Sequence, residues 1–282
     1  VDGLVGSEMC IRDSSSIPNM IDSSSRRCRI VTKINGSNAQ WLDESTLPPL
    51  ITAAEQLAVD EAFLNEAESG YLKNPVVRTW QATAPAVILG SSSQLHKEVN
   101  SDVCAKRNIP VLRRPSGGAT VILGPGCVMW SVIAPFKDVP SLDALHAFML
   151  EPLAEALSEI GPPVAREGTS DLVISTADGV KKVSGNALRV RRHSVLYHGT
   201  LLDSFPLGLV GQLLQHPPRE PQYRMERQHD KFLANLSIGR KKINKAVQTA
   251  FSAWTFRTNW PRDQVHRLVE SRYGQSDWTE RL

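Results

Sequence analysis

The sequence predicts an α+β fold, a mixed and largely antiparallel sheet flanked by helices. Strand-like and helix-like segments interleave through the first 160 residues. Two β-rich segments then flank Ala177-Asp178-Gly179, and an Asp-Gly pair between such runs is a strong hairpin signal. A doubly wound parallel sheet would need a helix between successive strands, and the middle of this chain supplies turns instead.

The elements follow in order. Residues 1–29 carry Ser14-Ser15-Ser16 and Ser23-Ser24-Ser25 without apolar periodicity, and read as a disordered leader or expression artefact. Ala53 to Glu68 reads as a helix, strong helix formers with Val59, Ala62 and Phe63 on one stripe. Val76–Trp80 and Ala86–Leu89 read as short strands, Lys97–Arg107 as a helix, and Ile109–Arg113 as a strand running into a glycine-rich turn. Cys127–Ala134 is an apolar strand. Ser141 is a good N-cap for a long helix to about Ile160, which Gly161-Pro162-Pro163 stops. Asp171–Thr176 and Val180–Val190 form the hairpin, and Arg191-Arg192-His193 turns the chain into Ser194–Leu202. Two short helical patterns, Ile243–Trp254 and Arg262–Tyr273, fill the last 45 or so residues.

Composition narrows the function. The 282 residues suffice for a core without staples. Lys+Arg 32 against Asp+Glu 29 leaves a net charge of +3, which does not mark a nucleic-acid binder. No apolar run approaches the ~20 residues that span a bilayer. Cys10, Cys28, Cys104 and Cys127 lack CxxC spacing, so neither a zinc ribbon nor a disulfide scaffold is expected, and a reducing compartment, the cytoplasm or an organelle, fits.

Three segments could carry chemistry. In Arg113-Arg114-Pro115-Ser116-Gly117-Gly118-Ala119-Thr120, a strand delivers two guanidinium groups to a turn whose glycines let backbone approach an anion. The segment fits either that or an ordinary tight turn, and it does not match a Walker A loop. In Lys182-Val183-Ser184-Gly185-Asn186-Ala187, alternation puts Lys182, Ser184 and Asn186 on one face, toward a cleft or solvent. Gly185 inside a strand suggests a bulge or close backbone approach. In Tyr197-His198-Gly199-Thr200-Leu201-Leu202, His198 fits a catalytic or a structural role. No His, Cys or carboxylate stands at metal-ligand spacing beside it, and no metal site is expected.

Together the three segments resemble the lipoate–protein ligase A family of the biotin/lipoate ligase catalytic superfamily. The family's Arg-Arg-x-Ser-Gly-Gly-Gly signature is similar to Arg113–Ala119. Its Lys-x-Ser-Gly-x-Ala signature is matched by Lys182–Ala187, and its His-Gly-Thr-Leu-Leu strand by His198–Leu202. Asp60-Glu61, Gly90 with Gln94, and Ser170-Asp171-Leu172 add agreement, and the resemblance runs from Ile30 to about Leu236. It implies a class II synthetase-like fold, with residues 30–236 as the catalytic domain and 237–282 as a short helical C-terminal extension.

The resemblance also implies a two-step reaction. ATP with Mg²⁺ activates lipoate, or octanoate, as the acyl adenylate. The acyl group then passes to a lysine of a lipoyl domain, such as that of a 2-oxoacid dehydrogenase E2, or of the glycine cleavage H protein. Carried over by position, Lys182 would contact the adenylate's carbonyl and phosphate oxygens, with Ser184, Gly185 and Ala187 of the same motif beside it. Ser116, Gly117, Gly118 and Ala119 would cover the acyl chain and phosphate next to Arg114. Ser170 and Asp171 would lie near the adenine and the incoming lysine, and His198 would line the acyl pocket. Two departures stand out: the signature's third glycine is Ala119, and the family's following histidine falls on Leu123. Gly124-Pro125-Gly126 is similar to octanoyltransferases, so an acyl-carrier-dependent transferase with a cysteine acyl acceptor is the main alternative. A non-catalytic binder of acyl-carrier domains is the other.

Overall fold

The computed structural model describes residues 38–47, 52–138, 140–218 and 220–282, and the leader predicted at 1–29 lies outside them. The first long helix shows why its boundaries were legible. Thr52 accepts from the backbone N–H of Glu55 while the Glu55 carboxylate reaches back to the Thr52 N–H, a capping box that fixes the start. In chain order the elements are β1 (Gln40–Leu42), α1 (Ala53–Glu68), β2 (Val76–Trp80), β3 (Ala86–Leu89), α2 (Leu95–Glu98), α3 (Ser101–Lys106) and β4 (Val111–Arg113). Next come β5 (Val121–Leu123), β6 (Cys127–Pro135), α4 (Leu142–Ser158), β7 (Val164–Glu167), β8 (Asp171–Thr176), β9 (Gly179–Val190) and β10 (Ser194–Leu202). The chain closes with α5 (Gly208–Leu213), α6 (His229–Phe232), α7 (Arg240–Ala250), β11 (Thr255–Arg257), α8 (Arg262–Leu268) and α9 (Ser276–Glu280).

Eight strands form one mixed sheet in the order β11-β1-β2-β6-β10-β9-β8-β7. Only β1 runs parallel to its neighbours, β11 and β2; every other pairing is antiparallel. A second sheet, β4-β3-β5, carries the glycine-rich turn between β4 and β5. This is the expected α+β class.

Alternation along the central strands sorts the core into two clusters. On β6, Cys127, Met129 and Ile133 join the cluster that contains α1, whereas Val128, Trp130, Val132 and Ala134 join the one that contains α4 and α7. On β10, Leu196 and Leu202 face the first cluster, and Val195, Tyr197 and Leu201 the second. Even positions of β10 therefore face the cluster that contains α1.

One detail differs from the sequence expectation. The helix predicted over Lys97–Arg107 is two short helices, α2 and α3, because Val99 leaves helical geometry to bridge Leu214, and the Asn100 N–H donates to the Leu213 carbonyl. The segment 237–282 contributes to both clusters, through Ile243, Val247 and Phe251 on one side and Trp260, Val265 and Tyr273 on the other.

Candidate functional site

The site begins in the β8–β9 hairpin. Leu172 pairs with Ser184 and Val173 pairs with Lys182, so Val183 is an extra residue in β9 and forms a bulge. A bulge bends its strand and re-aims the side chains beside it. Gly185, where the sequence suggested the irregularity, does something else: a Cβ there would stand 2.9 Å from both Cε and Nζ of Lys182. The bare glycine lets the lysine stem lie across the strand. The Lys182 ammonium meets the Asp171 carboxylate at 2.7 Å. Asp171 also accepts from the Tyr223 hydroxyl at 2.8 Å, and burial together with that carboxylate pushes the Tyr223 phenol above its ordinary range. Lys181 turns away to pair with Asp178 at the hairpin tip, 3.1 Å away.

The glycine loop between β4 and β5 faces this pair. Arg114 is buried, and its guanidinium is committed to the loop itself. Nη2 donates to the carbonyls of Gly117 (2.6 Å) and Ala119 (2.9 Å), Nη1 to Ile88 (3.2 Å) and Nε to the Ser116 hydroxyl (3.0 Å). Burial lowers the Arg114 pKa to about 10, against the pull of the Glu98 carboxylate, so the group stays cationic at neutral pH. Glu98 accepts from the Thr120 hydroxyl (2.6 Å) and backbone N–H (3.1 Å), pinning the far end of the loop. Arg113 is also buried and donates to the carbonyls of Gly90 and Ser93, tying the 90–93 turn to the loop. Gly90 has no room for a side chain, since a Cβ would run into the Gly118 carbonyl.

These parts enclose a cavity of about 440 Å³. Leu57, Ile88, Met129, Leu123, Leu202, Phe205, Val210 and Leu214 make an apolar wall, and Lys182, Asp171, Ser170, Asn186 and Thr200 make a polar one. Of the residues singled out in the sequence, Arg114, Gly118, Ala119, Ser170, Asp171, Lys182, Ser184, Gly185, Ala187 and His198 all line it. Ser116 and Gly117 do not. Ser116 is fully buried behind the loop, where its hydroxyl meets His198 Nε2 at 2.6 Å. Gly117 stands at the turn with its carbonyl held by Arg114.

Residues 52–252 match the family model described as the lipoyl protein ligase A/B catalytic domain. The chain belongs to this family. Solved structures place the fold of this lipoyl protein ligase A/B domain among known ligases. A bi-partite lipoate protein ligase from Thermoplasma acidophilum, studied with its E2 lipoyl domain, superposes with a TM-score of 0.70 at 19% identity over 86% of this chain and 96% of that one. A second T. acidophilum structure, with bound lipoic acid, gives 0.70 at 18% identity over 87% and 100%. A lipoate-protein ligase A bound with ATP gives 0.69 at 20% identity over 86% and 98%.

Several members of the site were not singled out from the sequence. Arg224 lines the cavity and Tyr223 reaches the Asp171 carboxylate at its polar wall, both from the segment after α5, whose Pro-rich composition reads only as loop. Glu98 looks like one more helix carboxylate until the loop folds onto it. Asp60, noted only as half of Asp60-Glu61, lies against His198, 3.6 Å from its Nδ1. Leu123, where the family carries histidine, is buried in the apolar wall. Cys104 and Cys127 are both buried and neither lines the cavity; burial raises the Cys104 thiol and pushes Cys127 up to about 12. Among the described residues, no group of three or more His, Cys, Asp or Glu side chains is arranged to hold a metal ion.

Proposed function

We propose that this domain is an ATP-dependent lipoate–protein ligase. The observation that carries the reading is Lys182, a lysine held by a carboxylate and a bare glycine at the polar end of an otherwise apolar cavity. That cavity is walled by a glycine loop whose position is fixed from behind by Arg113, Arg114 and Glu98. The family match, and the relatives named for lipoate, ATP and an E2 lipoyl domain, support the same reading.

In the first step a lipoate carboxylate oxygen attacks the α-phosphorus of ATP and pyrophosphate leaves, giving the acyl adenylate. Lys182 is placed to balance charge on the α-phosphate and on the carbonyl oxygen, a fixed cation where negative charge grows. Mg²⁺ enters with the nucleotide phosphates as part of that substrate. In the second step the amine of an acceptor lysine attacks the acyl carbonyl, AMP leaves, and an amide remains. The loop backbone at Gly118 and Ala119 and the apolar wall hold the acyl chain away from water. Octanoate fits the same apolar wall as lipoate.

The acceptors are lipoyl domains of the 2-oxoacid dehydrogenase E2 type and the glycine cleavage H protein. The compartment is the cytoplasm or an organelle; no helix among the described residues is long and apolar enough to cross a membrane. The buried thiols of Cys104 and Cys127 oppose the cysteine-dependent transferase reading, because a thiolate acceptor must be reachable and ionisable. The test is incubation with lipoate, ATP, Mg²⁺ and a lipoyl domain, read by intact mass. Lipoylation that requires ATP and Lys182 is expected. A modified acceptor without ATP, supplied from an acyl carrier protein, would overturn the reading.

A further inference from the structure

We infer that Asp60 is a positioning residue of this site: it fixes the ring tautomer of His198 and, through Ser116, the seat of the glycine loop over the acyl group. The inference deepens the ligase reading and rests on it for its kinetic arm.

The register of the main sheet supplies the first observation. Arg78 on β2 pairs with Ser131 on β6, and Ser131 pairs with His198 on β10, so one rung crosses three strands with a polar residue at each step. All three side chains are buried on the apolar face beneath α1, and α1 puts Asp60 over them. Asp60 Oδ1 accepts from Arg78 Nη1 at 3.1 Å and from the Ser131 hydroxyl at 2.9 Å. Its other oxygen, Oδ2, faces His198 Nδ1 at 3.6 Å. Both of those atoms are buried, and neither has another hydrogen-bond partner among the described residues.

The proton positions follow from the donors present. Ser116 Oγ receives a hydrogen bond from Arg114 Nε at 3.0 Å. Its own proton is therefore free to point at His198 Nε2, 2.6 Å away. Nε2 is then the acceptor, the ring proton sits on Nδ1, and it points at Asp60 Oδ2. The remaining gap is longer than a hydrogen bond, and such contacts tighten when the substrate fills a site.

The order Asp60–His198–Ser116 is that of a nucleophilic serine triad, but nucleophilic attack is blocked here. Ser116 is fully buried, does not line the cavity, and is held by Arg114. The chain instead runs from the rigid sheet to the loop. Asp60 orients His198, His198 holds Ser116, and Ser116 anchors the backbone that continues into Gly118 and Ala119.

Asp60→Asn keeps the shape of this contact but removes the charge that pairs with buried Arg78, so stability falls and the role is read from tautomer and KM instead. The amide oxygen would keep the bonds from Arg78 and Ser131, so the amide nitrogen must face His198 Nδ1 and donate to it. The ring proton would then move to Nε2. The experiment is ¹⁵N-histidine NMR of the full chain at neutral pH, with His198→Gln to assign the signal, together with lipoate kinetics. Expected are an Nδ1–H signature in the wild type, an Nε2–H signature in D60N, and a lipoate KM raised about tenfold at nearly unchanged kcat. An Nε2–H signature in the wild type, or a D60N protein with unchanged tautomer and KM, overturns the inference. Should D60N not fold, the wild-type spectrum still decides the tautomer. Ser116→Ala then decides the kinetic arm: its lipoate KM must rise similarly, and an unchanged KM overturns the positioning role. A wild type that turns over no lipoate overturns the ligase reading alone, because the spectrum reads the tautomer without turnover.

Discussion

At Lys182 three neighbours set where a positive charge stands. Asp171 holds the ammonium at 2.7 Å, Gly185 leaves space beneath its stem, and Tyr223 engages the far oxygen of the same carboxylate. Lys182→Ala should cut lipoyl transfer by about 10²–10³-fold, the scale for removing one preorganised electrostatic donor. Lys181→Ala should leave the rate near that of the wild type, since Lys181 pairs with Asp178, whose side chain is largely exposed at the hairpin turn. Equal losses in the two variants would remove Lys182 from the mechanism. The cysteines make the complementary case. Replacing them with alanine should keep transfer measurable wherever the protein folds, because Cys104 and Cys127 lie outside the cavity. Loss of activity in a folded variant, with an acyl adduct on that cysteine in the wild type, would favour a thioester intermediate. At this scale the sequence was informative where a motif fixes residue type and spacing, as in Lys182–Ala187. It was silent on Glu98 and Tyr223, which touch the site only through pairings across 22 and 52 residues of chain.

Among the elements, the glycine loop depends on its support more than on its own glycines. Gly90 lies on the neighbouring turn, and any side chain there meets the Gly118 carbonyl. Gly90→Ala should therefore displace the loop and lower adenylate formation by ~10²-fold, the cost that a misplacement of about 1 Å can carry. Gly117→Ala is the contrasting change: a Cβ at Gly117 meets nothing within 4 Å, and its backbone does not need the left-handed region. Single-turnover adenylation of the two variants separates them, and equal effects would show that the loop is not seated against Gly90. Elements with strong local signals were legible, such as α1 with its run of helix formers and the β8–β9 hairpin with Asp178-Gly179. Strands β1, β7 and β11 were not. They have three or four residues each, and β1 and β11 exist because Gln40 finds Thr255 far along the chain.

For the molecule as a whole, the last 46 residues close the fold around a buried carboxylate. Glu61 on α1 accepts from the Tyr273 hydroxyl at 2.6 Å, pairs with Arg272, and lies 3.6 Å from Arg191 at the β9–β10 turn. Burial and Glu61 hold the Tyr273 phenol well above its usual pKa, so it remains a donor. Tyr273→Phe leaves a buried carboxylate short of one donor and should cost roughly 1–3 kcal/mol. Thermal denaturation should show a Tm lower by several degrees, with adenylation intact at low temperature; an unchanged Tm would mean Glu61 does not need this bond. Composition alone reads this segment as two short helices, since nothing local shows that Tyr273 and Glu61 will meet. The fold class and the three motif segments were legible because each is written in neighbouring residues, whereas the closure is written in pairs far apart. The claim on which the rest depends is that this cavity makes an acyl adenylate from ATP. Pyrophosphate exchange measures that step alone. Purified protein with lipoate, ATP and Mg²⁺ should scramble labelled pyrophosphate into ATP, dependent on lipoate and lost in Lys182→Ala; folded wild-type protein that shows no lipoate-dependent exchange would contradict the account.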